Sequence, residues 1–433
     1  MMAGTTDLLF QLFKQSTGIT TDTRKVEPGN LFFALKGSNF NGNLFAEKAL
    51  VAGASFAVVD DATLPAREGL ILVDDVLSAL QKLAGYYRST LDIPVIGITG
   101  SNGKTTTKEL IHVVLSQKFR TSTTVGNLNN HIGIPLTLLR IPADAEIAVI
   151  EMGANHQMEI AGYCTYTNPT HGIITNCGKA HLEGFGGVEG IRKGKGELFD
   201  HLALHESTVF ACHDFDYFLS MLAERNLNHV EWYGTTQNAD VTGKVIHAEP
   251  FLDVHISTGF EKAFTIHTQL VGDYNIYNVL AAVTIGRYFG VAPDAIQSAI
   301  EHYTPDNSRS QLVQKDGNAI ILDAYNANPS SMAAAIRNFA NMHAGKKILM
   351  LGAMAELGAE SLQEHKEIAA LIGEFTWDDV VLVGGDFGKI DHPYTFFPSS
   401  AEAANWWRSQ HITGATILLK GSRSTAMEKV FNF

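Results

Sequence analysis

The chain has 433 residues, which corresponds to about three domains of roughly 150 residues each. It carries 32 Lys and Arg against 45 Asp and Glu, a net charge of −13, with 45% hydrophobic residues. This composition excludes a disordered chain, and the acidic balance argues against a protein that coats nucleic acid, since binding the phosphate backbone needs excess positive charge. A local loop can still bind a small anionic ligand such as a nucleotide.

Cysteines and terminal signals indicate the cellular setting. The cysteines are Cys164, Cys177 and Cys212, an odd and sparse set that argues against a disulfide scaffold and favours a reducing compartment. The amino-terminal segment has no basic region followed by a long apolar run, so we predict no signal peptide. Because no run of about 18 apolar residues occurs, we also predict no membrane span and expect a cytoplasmic protein.

The first third, residues 1–90, combines short apolar runs with Gly- and Asn-rich turns. Strands are predicted within Thr21–Gly37, at Ser55–Val59 and at Leu70–Val73, and a helix at Ser78–Ser89. We therefore expect a small α/β domain here.

The middle third, residues 91–304, opens with the apolar run Val95–Thr99, which predicts a buried strand that leads through glycines into a helix. The helical spacing of its apolar residues extends this helix through Ser116–Lys118. Further strands are predicted at Ala148–Ile150, at Gly172–Thr175 and, from their alternation, within 235–272.

Strands and helices alternate in the last third, residues 305–433. The predicted order is strand Ala319–Leu322, helix Pro329–Asn341, strand Lys347–Leu351, helix Ser361–Gly373, strand Val380–Val383, helix Ala401–Trp407 and strand Thr416–Leu419. Such alternation is typical of right-handed βαβ units and a mostly parallel sheet. We thus predict an α/β protein with a small first domain, a central P-loop ATPase-type parallel-sheet domain and a Rossmann-like third domain.

The strongest local signal is GITGSNGKTT, residues 97–106, where a strand leads into a glycine loop and then a helix. Backbone N–H groups in such a loop surround phosphate oxygens, Lys104 neutralises phosphate charge and the Thr105 hydroxyl can ligate Mg²⁺. The strict pattern G-x-x-x-x-G-K-[ST] is not met, because Ile98 stands five positions before Gly103. A glycine turn with a surface lysine is the alternative, and the strand–loop–helix context favours phosphate binding.

Three further side chains are candidates for the same site. Glu151 follows a predicted strand, where a carboxylate can hold Mg²⁺, although a solvated strand-end glutamate fits equally well. His181 follows the next strand, and a lone histidine is more often a satisfied polar residue than a ligand. Lys195 lies in a basic, glycine-rich stretch that is either a solvated face or a place of close backbone approach to a ligand.

The segment GNLNNHIGIP, residues 126–135, contains three asparagines between glycines and a proline. Asparagine both donates and accepts hydrogen bonds, which suits recognition of a polar substrate. Asx turns are the structural alternative, because asparagine also favours turns.

Together these segments resemble the Mur ligase family over nearly the whole chain. TGSNGKTTTKE resembles the family's ATP loop, and the start of the chain, TDTRK followed by PGNLFFALKG, resembles its UDP-binding first domain. The other matching segments are GNLNNHIGIPLTLL, EMGANH, residues 176–197, DAYNANPSSM, LGAMAELG with His365, and LKGSR with Met427-Glu428. DAYNANPSSM and GNLNNHIG are similar to the members that add D-alanyl-D-alanine.

The resemblance implies an ATP- and Mg²⁺-dependent ligase of peptidoglycan synthesis. Its substrates are UDP-N-acetylmuramoyl-tripeptide and D-alanyl-D-alanine, joined through an acyl phosphate, and such a reaction asks the protein to align groups and stabilise spreading charge. We expect a monomer. The alternatives are another Mur ligase or a folylpolyglutamate-synthase-like ligase, and a non-catalytic P-loop nucleotide-binding module.

The resemblance also implies roles for particular residues. Lys104, Glu151, His181 and Lys195 are the implied catalytic residues, and Thr105, Glu151, His181 and a carbamylated Lys195 the implied metal ligands. Carbamylation turns the lysine into an anion, which suits a group near Mg²⁺. The implied ATP-binding residues are Gly100, Ser101, Asn102, Gly103, Lys104, Thr105, Thr106, Asn275, Asn278, Arg309 and Asp323. The implied substrate-binding residues are Thr23, Arg24, Lys36, Asn127, Asn129, Asn130, Asn326 and Asn328.

The chain departs from the family pattern at several positions. Tyr274 stands where a histidine is usual beside the implied adenine-binding asparagines, and Ala353 where an aspartate is common. Asn41-Gly-Asn43 replaces the usual D-G-H of the first domain. None of these departures removes the phosphate loop or the implied catalytic residues.

Overall fold

The computed structural model describes residues 3–306 and 309–433. The chain forms two compact units: 1–97, 119–153 and 159–171 make the first, and 98–118, 154–158 and 172–433 make the second. The predicted division into three domains at residues 90 and 304 is a finer one than these two units and stays a prediction.

The first 90 residues form a small α/β arrangement. Its elements are α1 Ala3–Gln15, β1 Ile19–Thr20, β2 Leu31–Phe33, β3 Lys36–Gly37, β4 Phe40–Asn41, α2 Ala46–Val51, β5 Phe56–Val59, β6 Leu70–Leu72 and α3 Val76–Ser89. A parallel sheet has the order β1-β2-β5-β6, and β3 and β4 form an antiparallel pair. Helix α3 begins two residues before its predicted start, because the Asp75 side chain accepts a hydrogen bond from the Ser78 N–H and caps it.

The middle stretch carries the phosphate loop. Its elements are β7 Val95–Thr99, α4 Lys104–Leu115, β8 Thr121–Thr123, α5 Gly133–Leu138, β9 Ile147–Glu151, α6 Glu159–Thr167, β10 His171–Ile174, α7 Leu182–Phe185, α8 Val188–Leu204, β11 Thr208–Cys212, α9 Tyr217–Ala223, β12 Val230–Gly234, β13 Val241–His247, β14 Asp253–Ile256, β15 Phe264–His267, α10 Ile276–Tyr288 and α11 Pro293–Glu301. The β7 prediction is confirmed residue by residue, and the strands predicted near 148 and 172 are confirmed within one residue at each end.

Strand pairing in this stretch is parallel near the loop and antiparallel farther away. In the first unit, β8 pairs in parallel with β9. In the second unit the order is β15-β14-β13-β12-β11-β10. Strand β12 pairs in parallel with β11 and with β13, whereas β14 pairs antiparallel with β13 and with β15. The alternation predicted within 235–272 is therefore a three-stranded antiparallel ladder.

Helix α4 ends earlier than predicted. Ser116, Gln117 and Lys118 leave the helix in a tight turn, in which the N–H groups of Gln117 and Lys118 donate to carbonyls three residues back. The Lys118 ammonium donates to the carbonyls of Phe289 and Gly290, at 3.0 Å each. Lys118 thus caps the carboxyl end of helix α10 instead of continuing α4. The spacing of apolar residues could not predict this, and the predicted helix is therefore three residues too long.

The last stretch confirms the predicted alternation. Its elements are β16 Gln311–Lys315, β17 Asn318–Asp323, α12 Pro329–Asn341, β18 Lys347–Gly352, α13 Ser361–Ile372, β19 Asp379–Val383, β20 Thr395–Phe397, α14 Ser400–Gln410 and β21 Thr416–Lys420. The sheet order is β16-β17-β21-β18-β19-β20, parallel except for the β16–β17 hairpin, over a core of apolar strand residues. In such a sheet, ligands bind beyond the carboxyl ends of the strands.

The α/β fold class is confirmed in both units. Among the described helices, none combines the length and the apolar character that crossing a bilayer requires.

Candidate active site

The phosphate-loop residues lie between the buried strand β7 and helix α4, as predicted. Gly100 and Gly103 have φ angles of 147° and 78°, in the region that favours glycine. Helix α4 begins at Lys104, and Thr105 and Thr106 form the rest of its first turn. The loop therefore directs the amino-terminal end of a helix at its own concave side, the arrangement that binds phosphate.

A neighbouring segment holds this loop in shape. The N–H of Ser101 donates to the Asn176 carbonyl at 2.9 Å, and the N–H of Asn102 donates to Asn176 Oδ1 at 3.1 Å. The Thr175 hydroxyl donates to the Asn102 carbonyl at 2.6 Å, and the Ser101 hydroxyl to the Gly178 carbonyl at 2.6 Å. The residues just after β10 thus build the loop, a function that the local sequence did not reveal.

The Lys104 ammonium is directed into the same loop. Its Nζ donates to the Gly100 carbonyl at 2.7 Å and lies 3.4 Å from the Ser101 carbonyl. Thr105 is buried, and the buried Thr107 one turn farther on donates to Asn278 Oδ1 at 3.0 Å. The lysine is thereby held where a phosphate chain in the loop would meet it.

A side chain at Gly100 would disturb the phosphate loop. A Cβ at this position would overlap the Thr175 hydroxyl, and the backbone conformation itself disfavours an L-residue. We expect Gly100→Ala to lower stability by about 1–3 kcal/mol and to remove nucleotide binding, because the loop must shift away from Thr175. Thermal unfolding and titration calorimetry with ATP measure both effects.

Gly162→Ala is the matched control, since nothing lies within 4 Å of a Cβ at that helical position. We expect it to bind ATP like the parent protein. Unchanged ATP affinity in Gly100→Ala would contradict the shape that we assign to the loop.

Lys195 lies on α8 and is only 1% exposed. Burial, and to a smaller extent the positive charge of Lys104, lower the pKa of its ammonium to about 7. Its Nζ lies 5.1 Å from the centre of the Phe185 ring. The solvated-face interpretation is therefore wrong for this lysine, and a neutral, nucleophilic amine is accessible near neutral pH.

The glycines around Lys195 serve packing within the protein. A Cβ at Gly194 would lie 2.5 Å from the Phe185 ring, and one at Gly190 would overlap the Phe185 carbonyl. These glycines let α8 approach α7, which follows His181 directly. The close backbone approach that we predicted for a ligand is thus made by the chain itself.

His181 precedes α7 in the left-handed region, with φ of 54°. Its Nδ1 lies 2.5 Å from the Glu356 carboxylate, and this close contact lowers the pKa of Glu356. Glu356 lies in the family-like segment LGAMAELG, but the sequence did not predict its contact with His181, which is 175 positions away along the chain.

Glu151 ends strand β9 in the first unit and is 1% exposed, so the solvated-glutamate interpretation is wrong. The Asn129 amide donates to its Oε1 at 2.8 Å, and its own N–H donates to the Thr124 hydroxyl at 2.9 Å. The carboxylate is therefore held in a fixed orientation by neighbours in that unit.

The asparagine segment is built from turns. Asn130 Oδ1 accepts the N–H groups of Ile132 and Gly133, as in an Asx turn, and the Asn127 carbonyl accepts the N–H of Asn129. The structural alternative thus accounts for Asn130, and a contact of these asparagines with substrate stays a prediction.

The asparagines implied for adenine binding are buried and join helices. Asn278 Nδ2 donates to Asn275 Oδ1 at 2.8 Å, and Asn275 Nδ2 donates to the Val271 carbonyl at 2.9 Å. Tyr274, at the position of the usual histidine, has its hydroxyl 3.0 Å from the Ser310 hydroxyl, and burial raises its pKa. These contacts bring Asn278 against Thr107 on the helix that follows the phosphate loop.

Charged groups meet at the carboxyl ends of β17 and β21. Asp323 and Lys420 are paired in register, and Lys420 Nζ donates to Asp323 Oδ2 at 2.6 Å. The Arg309 guanidinium lies 3.8 Å from the centre of the Tyr325 ring, and Arg423 lies 5.4 Å from the same ring. Cations thus outnumber anions at an edge where ligands of this fold bind.

The amino-terminal end of α12 contacts the phosphate loop within the second unit. Asn328 caps this helix, and its Nδ2 donates to Asn102 Oδ1 at 2.7 Å. The Ser330 hydroxyl accepts the Lys179 N–H at 2.9 Å. Asn326 Oδ1 accepts the N–H of Ala327. Asn328 thereby links the loop predicted to bind ATP with the segment predicted to bind the second substrate.

A salt bridge strengthens this contact. Lys179 Nζ lies 2.6 Å from Glu364 and 3.6 Å from Glu367, and the hydrogen bond that it donates to Glu364 raises the pKa of Lys179. Lys179→Ala should lower kcat/KM by up to about fivefold, the equivalent of roughly 1 kcal/mol for a partly exposed pair. Steady-state kinetics measures it.

The charge swap Lys179→Glu with Glu364→Lys should recover most of this loss. Lys366→Ala is the control, because Lys366 is an exposed lysine on helix α13, which also carries Glu364. A swap as impaired as the single variants would contradict a role for the pair.

The residues implied for binding the UDP end lie in the first unit. Arg24 makes two hydrogen bonds to Asp22, of 2.9 and 2.7 Å, which lower the pKa of Asp22 to about 2. Thr23 lies in the same short 3-10 helix. Lys36 Nζ lies 2.8 Å from Asp60. Both cations are exposed or partly exposed. An anionic ligand could therefore reach Arg24 and Lys36 and replace their carboxylate partners.

Asn41 and Asn43, which replace the usual residues, have structural partners. Asn43 Nδ2 donates to Asp60 Oδ1 at 2.7 Å and to Asn41 Oδ1 at 3.0 Å. The departure from the family pattern therefore keeps a polar network beside Lys36.

The side chains implied to bind Mg²⁺ include the hard oxygen donors that this ion prefers. Among residues 3–306 and 309–433, no three His, Cys, Asp or Glu side chains converge as a metal-binding group. The implied set consists of the Thr105 hydroxyl, the oriented Glu151 carboxylate, His181 and a carbamate on Lys195, and its hard oxygen donors suit Mg²⁺. The buried, easily neutralised amine of Lys195 fits the carbamate, since only the neutral amine adds to carbon dioxide.

Comparisons with known proteins cover all three parts of the chain. Residues 15–88 match the model of the Mur ligase family catalytic domain, 98–286 the Mur ligase middle domain, and 308–423 the Mur ligase glutamate ligase domain. The UDP-N-acetylmuramoyl-tripeptide–D-alanyl-D-alanine ligase of Bacillus subtilis is 37% identical over 95% of this chain and 92% of its own.

Solved structures give the same result. A crystal structure of MurF from Acinetobacter baumannii has a TM-score of 0.89 at 30% identity and covers 99% of this chain and 97% of its own. The MurF ligase of Thermotoga maritima in complex with ADP has a TM-score of 0.87 at 26% identity, with 97% of each chain covered.

The chain belongs to the Mur ligase family, whose three domain models match successive parts of it. Within that family it is similar over its whole length to the MurF ligases.

Proposed function

We propose that this chain is an ATP-dependent ligase that joins D-alanyl-D-alanine to UDP-N-acetylmuramoyl-tripeptide. The product is the pentapeptide precursor of peptidoglycan, which serves the cell wall and cell shape. The full-length similarity to ligases of that name supports the substrates, and the similarity to an ADP-bound MurF supports the nucleotide.

One observation carries the proposal. Hydrogen bonds with Asn176 and Thr175 hold the phosphate loop in shape. Two amines lie close together at this loop, because the positive charge of Lys104 lowers the pKa of Lys195. A loop that only held a nucleotide would need one such cation, and a second, buried amine indicates further chemistry.

The first step is phosphoryl transfer from ATP to the tripeptide carboxylate. Hydroxide is a poor leaving group, so the carboxylate must become an acyl phosphate before an amine can displace it. Loop N–H groups and Lys104 bind the phosphate chain and stabilise the charge that spreads over the transferred group. Bound Mg²⁺ would neutralise phosphate charge, and Thr105, Glu151, His181 and the carbamate of Lys195 are the residues that we propose to hold it.

The second step is attack by the free amine of D-alanyl-D-alanine on the acyl carbon. The new N–C bond forms, the amine loses its proton, and the tetrahedral intermediate expels phosphate. We place the dipeptide near the carboxyl ends of β17 and β21, beside Asn326 and Asn328. Arg309 and Asp323 then contact the nucleotide, together with Asn275 and Asn278 on the adenine side.

We assign the other end of the large substrate to the first unit. Thr23, Arg24 and Lys36 are proposed to contact the UDP group, because they offer polar donors and two cations at least partly open to solvent within the same unit. Asn127, Asn129 and Asn130 are proposed to contact the peptide arm, in addition to the turns that they form.

The decisive experiment is a substrate-dependence assay of phosphate release. We expect release from ATP only when UDP-N-acetylmuramoyl-tripeptide and D-alanyl-D-alanine are both present, with tripeptides ending in diaminopimelate and in lysine tested separately. Release that ignores the dipeptide, or nucleotide binding with no release at all, would reject the ligase function. Turnover with glutamate in place of the dipeptide would indicate a different family reaction.

We also propose a cytoplasmic monomer. The cysteines Cys164, Cys177 and Cys212 are all free thiols, and ATP is a cytoplasmic substrate. Light scattering on the purified chain should give a mass near 47.0 kDa, and a doubled mass would reject the monomer.

A further inference from the structure

Tyr274, which stands where a histidine is usual, lies over a turn that leaves room for its ring. It belongs to the short 3-10 helix Asp273–Asn275 that precedes α10. Gly272 has φ of 100°, and a Cβ at that position would lie 2.5 Å from the Tyr274 ring. The Asp273 N–H donates to Asn338 Oδ1 of helix α12 at 3.1 Å. The turn and its hydrogen bond to α12 therefore fix where the phenol ring lies.

The Tyr274 hydroxyl contacts a residue of the last third of the chain. It lies 3.0 Å from the hydroxyl of Ser310, and Ser310 is only 9% exposed. Since a hydroxyl both donates and accepts, the two groups share a hydrogen bond in either direction. Burial limits water as a replacement partner, so losing one of the two hydroxyls leaves the other without compensation. This contact links the turn at 272–275 to the segment 309–310.

Ser310 has a backbone conformation that requires support from its surroundings. Its φ angle is 51°, in the left-handed region that few residues other than glycine adopt. Such a conformation persists only where neighbouring contacts impose it. Gln311 begins strand β16 directly after Ser310 and pairs with Leu322 of β17. The Tyr274 hydroxyl and the β16–β17 hairpin therefore hold Ser310 together.

Arg309 directly precedes this residue, so its direction depends on the backbone of Ser310. Its guanidinium lies 3.8 Å from the centre of the Tyr325 ring, a favourable cation–π distance. Its Nε is buried and has no hydrogen-bond partner within residues 3–306 and 309–433. The direction of this guanidinium therefore follows from the stacking on Tyr325 and from the backbone at Ser310.

Ser310 also lies beside the other residue of the last third that we assign to the nucleotide. Gln311 and Leu322 are paired in the antiparallel hairpin, which places Ser310 next to Asp323 at the end of β17. Burial, and to a smaller extent the negative charge of Asp323, raise the pKa of the Tyr274 phenol, so the hydroxyl keeps its proton at neutral pH. Tyr274 thus joins the adenine-side turn to the residues assigned to the phosphates and the ribose.

We propose that Tyr274 is a positioning residue for the nucleotide, whose hydroxyl fixes Ser310 and thereby directs the Arg309 guanidinium at the bound phosphates. The proposal rests on the nucleotide site of the ligase function argued above. A phenol carries its oxygen farther from the backbone than an imidazole carries its nitrogens. The tyrosine therefore reaches a partner in the last third of the chain that a histidine placed in the same way would not reach.

Tyr274→Phe removes one oxygen and tests the contact directly. We expect the Kd and the KM for ATP to rise about fivefold, the usual effect of losing one hydrogen bond, while kcat and the KM for the dipeptide change by less than about twofold. Titration calorimetry with ATP measures the Kd without any need for turnover. Tyr288→Phe is the matched control, because that exposed hydroxyl contacts the Thr208 hydroxyl at 3.1 Å, and it should bind ATP like the parent protein.

Double variants separate positioning from a general structural effect. Ser310→Ala should weaken ATP binding as much as Tyr274→Phe, and the two changes together should weaken it no further, because both remove the same hydrogen bond. In an Arg309→Ala background, Tyr274→Phe should leave the ATP affinity unchanged, since the hydroxyl acts through that guanidinium. Thermal unfolding of each variant shows whether the fold is intact.

Parent-like ATP affinity in Tyr274→Phe would overturn the proposal, and so would an equal loss of affinity with and without Arg309. Additive losses from Tyr274→Phe and Ser310→Ala would also overturn it, because the two hydroxyls would then act separately. Failure of the ligase function would show instead as ATP binding by the parent protein without phosphate release, and the titrations would still accept or reject the role of Tyr274. A parent protein that does not bind ATP would overturn both.

Discussion

Lys195→Met should lower turnover by about 10²- to 10³-fold and leave the fold intact. Methionine has a similar length and packs against Phe185 without a nitrogen, so the variant removes the chemistry and keeps the volume. The parent amine, with a pKa lowered to about 7 by burial and by Lys104, can attack carbon dioxide to form an N–C bond and release a proton. The resulting carbamate is the anion that we assign to the cation site. Initial rates measure the loss of turnover, and thermal unfolding shows whether the fold is intact.

Two comparisons make the result specific. Lys193→Met changes an exposed lysine on the same helix and should have no effect. Depletion of carbon dioxide and bicarbonate should slow the parent enzyme and leave Lys195→Arg unaffected, since a guanidinium forms no carbamate. Full activity of Lys195→Met would exclude any role for this side chain.

Lys104→Met should have a comparable effect on the chemical step. The ammonium lies over the loop that receives the phosphates, and its loss removes a fixed positive charge from the place where charge develops. We expect kcat to fall by about 10²- to 10³-fold and ATP affinity to weaken. Single-turnover kinetics and ATP titration separate the two contributions.

Lys104→Arg keeps the charge and changes its geometry, so it should retain ATP binding better than Lys104→Met. The loop itself should survive both substitutions, because Asn176 and Thr175 hold it independently of the lysine. Normal turnover in Lys104→Met would show that the loop N–H groups alone suffice.

The sequence predicts best where local patterns decide the structure. Strand β7 and helix α12 begin and end where their patterns indicate, because an apolar run, a capping asparagine and a proline at the helix start are all local signals. The phosphate loop was found although its spacing departs from the strict pattern. Helix α4 ends early because Lys118 finds carbonyl partners 171 and 172 positions away.

Long-range partners are what local sequence reasoning misses. Nothing around Asn176 marks it as the residue that shapes the phosphate loop, and nothing around Glu356 marks it as the partner of His181. Lys179 and Glu364 likewise carry no local pattern that predicts their salt bridge, which forms only in the folded chain. The burial of Lys195 is equally invisible in a stretch that is basic and rich in glycine.

The hydrogen bonds from Lys104 to the loop carbonyls have a consequence for product release. When the nucleotide departs, the ammonium does not have to be rehydrated, because the carbonyls of Gly100 and Ser101 lie within its reach. In the ligase that we propose, the lysine exchanges two sets of oxygen partners, those of the phosphate chain and those of its own backbone. We expect this exchange to lower the free-energy cost of releasing the nucleotide, because the ammonium keeps hydrogen-bond acceptors in the empty loop.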